Sequence, residues 1–149
     1  MDLEIIETPV RFKLHGKAST IQGKPIGDVG MNLMNEMWRI VKQSNTETTG
    51  INHWVYLPDD RMFVGVELSQ DSSVPEELEA SEFELLRYLK HTHVGPYQAL
   101  PEKWKALKAE LANCGEIMSS PALEIYGHHC DDSSKLETMI LIALQPKHC

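Results

Sequence analysis

Apolar side chains recur at Val29, Leu33, Met34, Met37, Trp38, Ile40 and Val41 within "DVGMNLMNEMWRIVKQ". This three-to-four spacing predicts an amphipathic helix over residues 28–43, with Asp28 as N-cap and the polar "QSNTETTG" as its stop. Upstream, "PVRFKLHGK" reads as a strand over residues 9–17. Downstream, "INHWVYL" and "RMFVGVEL" read as two strands joined by a Pro58-Asp59-Asp60 turn. The second half repeats the order. "EFELLRYLKHTHV", residues 82–94, reads as one strand. "PEKWKALKAELANCG" is a helix with Pro101 near its start and Gly115 past its end, and "ALEIYGHH" and "ETMILIAL" form another hairpin.

Strand, helix, strand, strand therefore occurs twice, over about residues 5–70 and 80–147, as expected of a duplicated unit. The helices share a local pattern, "NEMWRIVKQ" and "PEKWKALKA", that places Trp38 and Trp104 in corresponding positions. Each half has one helix and too few strands to bury a core alone. The acidic stretch "SQDSSVPEELEAS" is therefore a connector inside one domain spanning residues 1–149. The expected fold is α+β: one pseudo-two-fold antiparallel sheet, two helices on one face and a ligand cleft at the seam.

Strand alternation then sorts the side chains. If Leu123 and Ile125 face the helix-covered core, Ala122, Glu124, Tyr126 and His128 face away from it. The same alternation in the first hairpin sets Asn52, Trp54 and Tyr56 apart from Ile51, His53 and Val55, and Phe63, Gly65 and Glu67 apart from Met62, Val64 and Val66. Trp54, Tyr56, Phe63 and Tyr126 around Glu124 would make a receptor for a bulky planar cation. Aromatic faces attract positive charge, and the carboxylate supplies the counter-charge. The competing reading places Glu124 and Glu67 on a wetted sheet face, with the aromatics as ordinary cross-strand partners.

Composition narrows the classes. The chain has 149 residues, 42% hydrophobic and 24% charged, which is typical of a globular domain. A formal charge of −8 argues against a direct nucleic-acid surface, which needs concentrated Lys and Arg. There is no apolar run of the ~18 residues a membrane span requires and no secretory leader pattern, so a cytoplasmic location is expected. Cys114, Cys130 and Cys149 form no Cys-x-x-Cys pair. His128, His129, Cys130, Asp131 and Asp132 look like metal ligands. Neighbours on a strand point to opposite faces, however, and cannot share one tetrahedral ion, so no metal and no cofactor is expected. His91 and His93 are alternate residues, and a haem carrier is the minor reading they raise.

The order of elements, "MNEMWRIV", "VYLPDDRMFVGVEL", "HTHVGPYQALPEKWKAL" and the "LEIY" strand resemble the GyrI-like effector-binding family. The likeness is to its stand-alone, integron-cassette-associated branch, related to the ligand-sensing domains of AraC-type and multidrug-sensing regulators. The resemblance implies a cleft that binds hydrophobic, often cationic, drugs around an acid, here Glu124 with Tyr126. It brings in Trp38, Trp104, Tyr97 in "GPY" and Glu67 in "VGVE" as further ligand-binding candidates. It also implies a sensing or sequestering role, with a transcriptional regulator or a second copy of the chain as partner. Some GyrI-like proteins hydrolyse reactive electrophilic natural products. The alternative is therefore a hydrolase with Glu124 as general base, helped by Tyr126 or Tyr97.

Overall fold

A computed structural model describes residues 3–69, 74–127 and 131–146. Its strands are β1 (Glu4–Ile6), β2 (Val10–Thr20), β3 (His53–Leu57), β4 (Arg61–Val66), β5 (Glu79–Leu85), β6 (Tyr88–Val94), β7 (Met118–Tyr126) and β8 (Glu137–Leu144). Helix α1 (Ile26–Ser44) lies between β2 and β3, and α2 (Leu100–Asn113) between β6 and β7. All the strands join one antiparallel sheet in the order β1-β6-β8-β7-β3-β4-β2-β5. The fold is α+β, as the sequence pattern predicts.

Read from either end, that order is the same with the units interchanged. β2, β4 and β3 answer to β6, β8 and β7, and each unit's first strand lies at the far edge of the other unit. The seam is the β3–β7 ladder, where Trp54 pairs with Glu124 and His53 with Ile125.

Three elements depart from the sequence reading, in which β1 does not figure. Residues 82–94 are not one strand: β5 ends at Leu85, and β6 begins at Tyr88 after a turn whose Leu86 is 63% exposed. The turn contains neither glycine nor proline, and its trace in the sequence is the doubled Leu85-Leu86, which breaks alternation. Helix α1 begins two residues earlier than predicted. Its N-cap is Pro25 with no side-chain cap bond, and Asp28 lies in the first turn instead, where a negative charge complements the helix dipole. At the other end Asn45 takes a left-handed conformation, φ 53°, and its amide turns back to Lys42.

The short β5–β6 link bends the whole sheet. Six strand spacings separate β5 from β6 in the sheet order, about 29 Å if the sheet were flat. Three Cα steps from Leu85 to Tyr88 reach at most ~11 Å. The sheet therefore curls, and its helix-free face closes on itself around Leu14, Val55, Phe63, Leu85, Leu123 and Leu141. The opposite face takes the helices. Leu107 and Leu111 of α2 pack on Leu89, Ile140 and Ile142, while α1 packs Met37 and Ile40 near Val66 and Val29 near Met62 and Val64.

This arrangement corrects the expected faces. Leu123 and Ile125 point into the curled, helix-free interior, and Glu124 lies on the helix-bearing side. Both faces are apolar, so alternation separates the two sets of residues without saying which set the helices cover.

Candidate functional site

A cleft of ≈ 700 Å³ opens on the helix-bearing face over the seam, lined from both units by Trp54, Tyr56, Tyr97, Trp104, Glu124 and Tyr126 among others. Helix α2 contributes one stripe to it, Leu100, Trp104 and Lys108 at i, i+4, i+8, while Leu107 and Leu111 face the core. Gly27 and Ile26 at the start of α1 line the other side, and Ser119, Ser120 and Ala122 of β7 also line it.

Glu124 is 4% exposed at the floor. Its Oε1 accepts hydrogen bonds from the Tyr56 hydroxyl at 2.5 Å and the Tyr126 hydroxyl at 2.8 Å, and its Oε2 accepts from Trp104 Nε1 at 2.8 Å. Among the described residues no Lys, Arg or His pairs with it. A buried carboxylate is normally paired with a cation, whereas three neutral donors hold this one. Burial, followed by the charge of Glu124, pushes the Tyr56 and Tyr126 phenols far above the usual range, so both hydroxyls stay protonated donors.

The rings brace one another edge to face. Trp54 meets Tyr126 at 5.4 Å between centroids, Tyr97 meets Tyr126 at 5.3 Å, and Tyr56 meets Trp104 at 5.9 Å. Such contacts are worth roughly 0.5–1.5 kcal/mol each beyond burial, and they join through Glu124 into one wall. Packing positions Trp54. At Gly30 of α1 a Cβ would lie 2.2 Å from the indole Cζ3, so only a glycine lets the ring lie against the helix backbone.

Of the residues singled out from sequence, Glu124, Tyr126, Trp54, Tyr56, Tyr97 and Trp104 come together in the cleft. Phe63, Glu67 and Trp38 do not. Phe63 is paired with Val55 on the helix-free face and packs on Phe83. The register settles its face, because Trp54 of the cleft wall pairs with Val64, and Phe63, one residue away, points to the opposite side. Glu67 follows the end of β4 and lies 3.6 Å from His53 Nε2, beside a smaller hollow of ≈ 330 Å³ on the helix-free face. Trp38 packs near Val66 and donates to Asn52 Oδ1 at 2.8 Å. Each of the two tryptophans thus donates its indole N–H to a side-chain oxygen, Trp38 to an amide and Trp104 to the acid.

Arg61 and Lys108 also line the cleft, and Gly30 seats the Trp54 ring, three placements not singled out from sequence. Lys108 was legible as the next turn of the Leu100–Trp104 stripe, whereas Gly30 needed the helix-to-strand contact. His128, His129, Cys130, His148 and Cys149 lie outside the described residues. Asp132 accepts from the Ser134 amide and hydroxyl, capping a single 3-10 turn. His93 Nε2 lies 3.3 Å from the Pro96 carbonyl. Cys114 is exposed and free, and no cluster of three metal-ligating side chains occurs among the described residues. No described helix is long and apolar enough to cross a membrane.

Residues 31–143 match the family model of integron-associated effector binding proteins. The chain belongs to this family. Solved structures share the fold. The C-terminal domain of EcmrR superposes with a TM-score of 0.73 at 16% identity, covering 97% of this chain and 99% of that one. SAV2435, solved bound to tetraphenylphosphonium, gives 0.64 at 14% identity, over 97% and 94% of the two chains. An integron cassette protein from the mobile metagenome of Vibrio cholerae gives 0.59 at 16% identity, over 96% and 95%. No curated protein sequence matches significantly. Membership makes the domain an effector-binding one.

Proposed function

We propose that the cleft binds hydrophobic cations, with Glu124 as the counter-charge and the five rings as walls. The observation that carries this reading is a buried carboxylate held by three neutral donors, with no cation of the described protein beside it, at the floor of an aromatic cleft. A cationic ligand would supply the missing charge, and ring faces would add roughly 0.5–2 kcal/mol per contact. Apolar walls and a single charge select by size and sign rather than by directional bonds, so many ligands would be accepted. Tetraphenylphosphonium, the ligand of SAV2435, is a molecule of this kind. Reversible binding suits sensing or sequestration, and a transcriptional regulator is the partner class that would read it.

The phenols beside Glu124 favour a second reading, a hydrolase in which Glu124 activates water and a tyrosine hydroxyl assists. Against it, both carboxylate oxygens already accept protein donors, leaving a water to compete for the remaining lone pairs. Calorimetry with tetraphenylphosphonium and neutral triphenylphosphine oxide tests the proposal. Heat from the cation, little from the oxide, and a loss of about tenfold or more in affinity in Glu124→Gln are expected. Equal binding of the two compounds would rule out charge pairing.

A further inference from the structure

The charges lining the cleft are distributed unevenly along its depth. Glu124 is the sole carboxylate among the described lining residues, and it is on the floor. The two cations, Arg61 at the β3–β4 hairpin and Lys108 on α2, are exposed at the mouth on different elements. In a chain of net charge −8, a purely cation-selecting cleft would be expected to carry acids at its rim, because a rim of one sign attracts ligands of the opposite sign. Here the rim has the opposite polarity to the floor.

Arg61 is also unlike the other arginines. The chain has four. Arg11 pairs with Glu84, Arg39 with Glu36 and Arg87 with Glu116, while Arg61 has no carboxylate partner among the described residues. Its neighbour Asp60 is already engaged, accepting the Gln22 amide at 2.8 Å. The Lys108 ammonium lies 5.9 Å from the centre of the Trp104 ring, whose N–H holds Glu124, and it too is in no ion pair among the described residues. Both rim cations are therefore open to a ligand. A guanidinium offers a fork that matches a carboxylate.

We infer that the cleft recognises amphoteric aromatic molecules: a cationic centre goes to Glu124, and a carboxylate or similar anionic group at the other end meets Arg61 and Lys108. The inference rests on the reading of Glu124 as counter-charge and adds a second recognition point to it. A dication would gain one partner at the floor and meet two like charges on entry. A monocation without an anionic arm would fit and leave the rim cations to water. The amphoteric ligand alone satisfies both ends.

Two dyes that differ in one group provide the test: rhodamine B, with a xanthylium cation and a free carboxylate, and its ethyl ester, with the cation alone. Tryptophan quenching would be titrated in the wild type, Glu124→Gln, Arg61→Gln, Lys108→Gln and the double rim variant, with melting curves checking that each folds. The double rim variant is expected to weaken rhodamine B about fivefold, the scale of exposed ion pairs, and to leave the ester unchanged or tighter. Equal changes for the two dyes, or none for rhodamine B, would overturn the rim assignment while leaving the Glu124 reading intact. An ester indifferent to Glu124→Gln, or neither dye quenching the wild type, would overturn both.

Discussion

Trp54 and Glu124 stand directly opposite each other across the β3–β7 ladder, one from each unit of the duplicated chain. A large ring and a buried charge are thereby set side by side by backbone pairing rather than by any loop. Sites held on strands keep their geometry more tightly than sites on loops. The floor of the cleft should therefore respond to substitution through hydrogen bonding and packing, with little backbone rearrangement.

Tyr56→Phe removes one of the three donors to Glu124 and keeps the ring. A hydrogen bond to a charged group contributes roughly 1.5–3 kcal/mol, so the free protein should lose about that much stability. The carboxylate left with two donors has more charge to offer, so affinity for a cation such as rhodamine 6G should rise. Urea unfolding with and without dye measures both. A parallel loss of stability and affinity would mean that the hydroxyl itself contacts the ligand.

Alanine at Gly30 and at Gly27 should act with opposite signs. At Gly30 the new methyl would meet the Trp54 ring at 2.2 Å, whereas at Gly27 nothing lies within 4 Å. Overpacking costs roughly 1–3 kcal/mol, while an unhindered Gly→Ala in a helix gains up to about 1 kcal/mol. Thermal melts should fall for Gly30→Ala and hold or rise for Gly27→Ala. Dye affinity should drop at Gly30, because Trp54 must move.

Phe63→Leu addresses the assignment of faces. Phe63 is 1% exposed inside the curled, helix-free core, so its truncation should cost roughly 1–3 kcal/mol in chemical unfolding. Binding by the folded protein should be unaffected. A selective loss of dye affinity would return Phe63 to the cleft.

His53 predicts a pH dependence of stability. It is 3% exposed, and burial lowers its imidazole below the ordinary 6.5, against opposing effects of the Ile51 carbonyl, Glu67 and the Gly65 carbonyl. With the folded value below the unfolded one, the unfolded chain binds more protons as the medium turns acid. The contribution is complete above about pH 6.5 and is lost as the pH falls below it. Urea midpoints at pH 7 and pH 5 should differ less in His53→Gln than in the wild type. Equal acid losses would place the effect in other groups, such as His15 or His91, which burial also lowers.

The duplication, both helices and the two hairpins were legible because they rest on local periodicity and turn chemistry. Glu124 with Tyr126 was legible for a similar reason: an acid two residues from an aromatic in an apolar strand must share its face. What escaped was long-range. The β5–β6 turn has no breaker residue, yet it bends the sheet and gives the helix-free side its own core. A pattern in which both faces are apolar cannot say which is roofed by helices. Phe63 and Glu67 were misplaced because their face depends on cross-strand register. Trp38 and Trp104 match in their local helix pattern, although only one of the two has an acid to bind.

The exchange of leading strands between the units bears on that difference. Two separate copies of a single unit, trading the same strand, would build the same order of eight and the same seam. Being identical, they would have to carry either no acid on the seam strands or one from each copy, two buried charges repelling each other across a short ladder. Joining the halves in one chain allows them to diverge, and one tryptophan holds an amide while its counterpart holds a carboxylate. Covalent fusion thus makes a single buried charge possible at the seam of a fold whose strand order is otherwise two-fold.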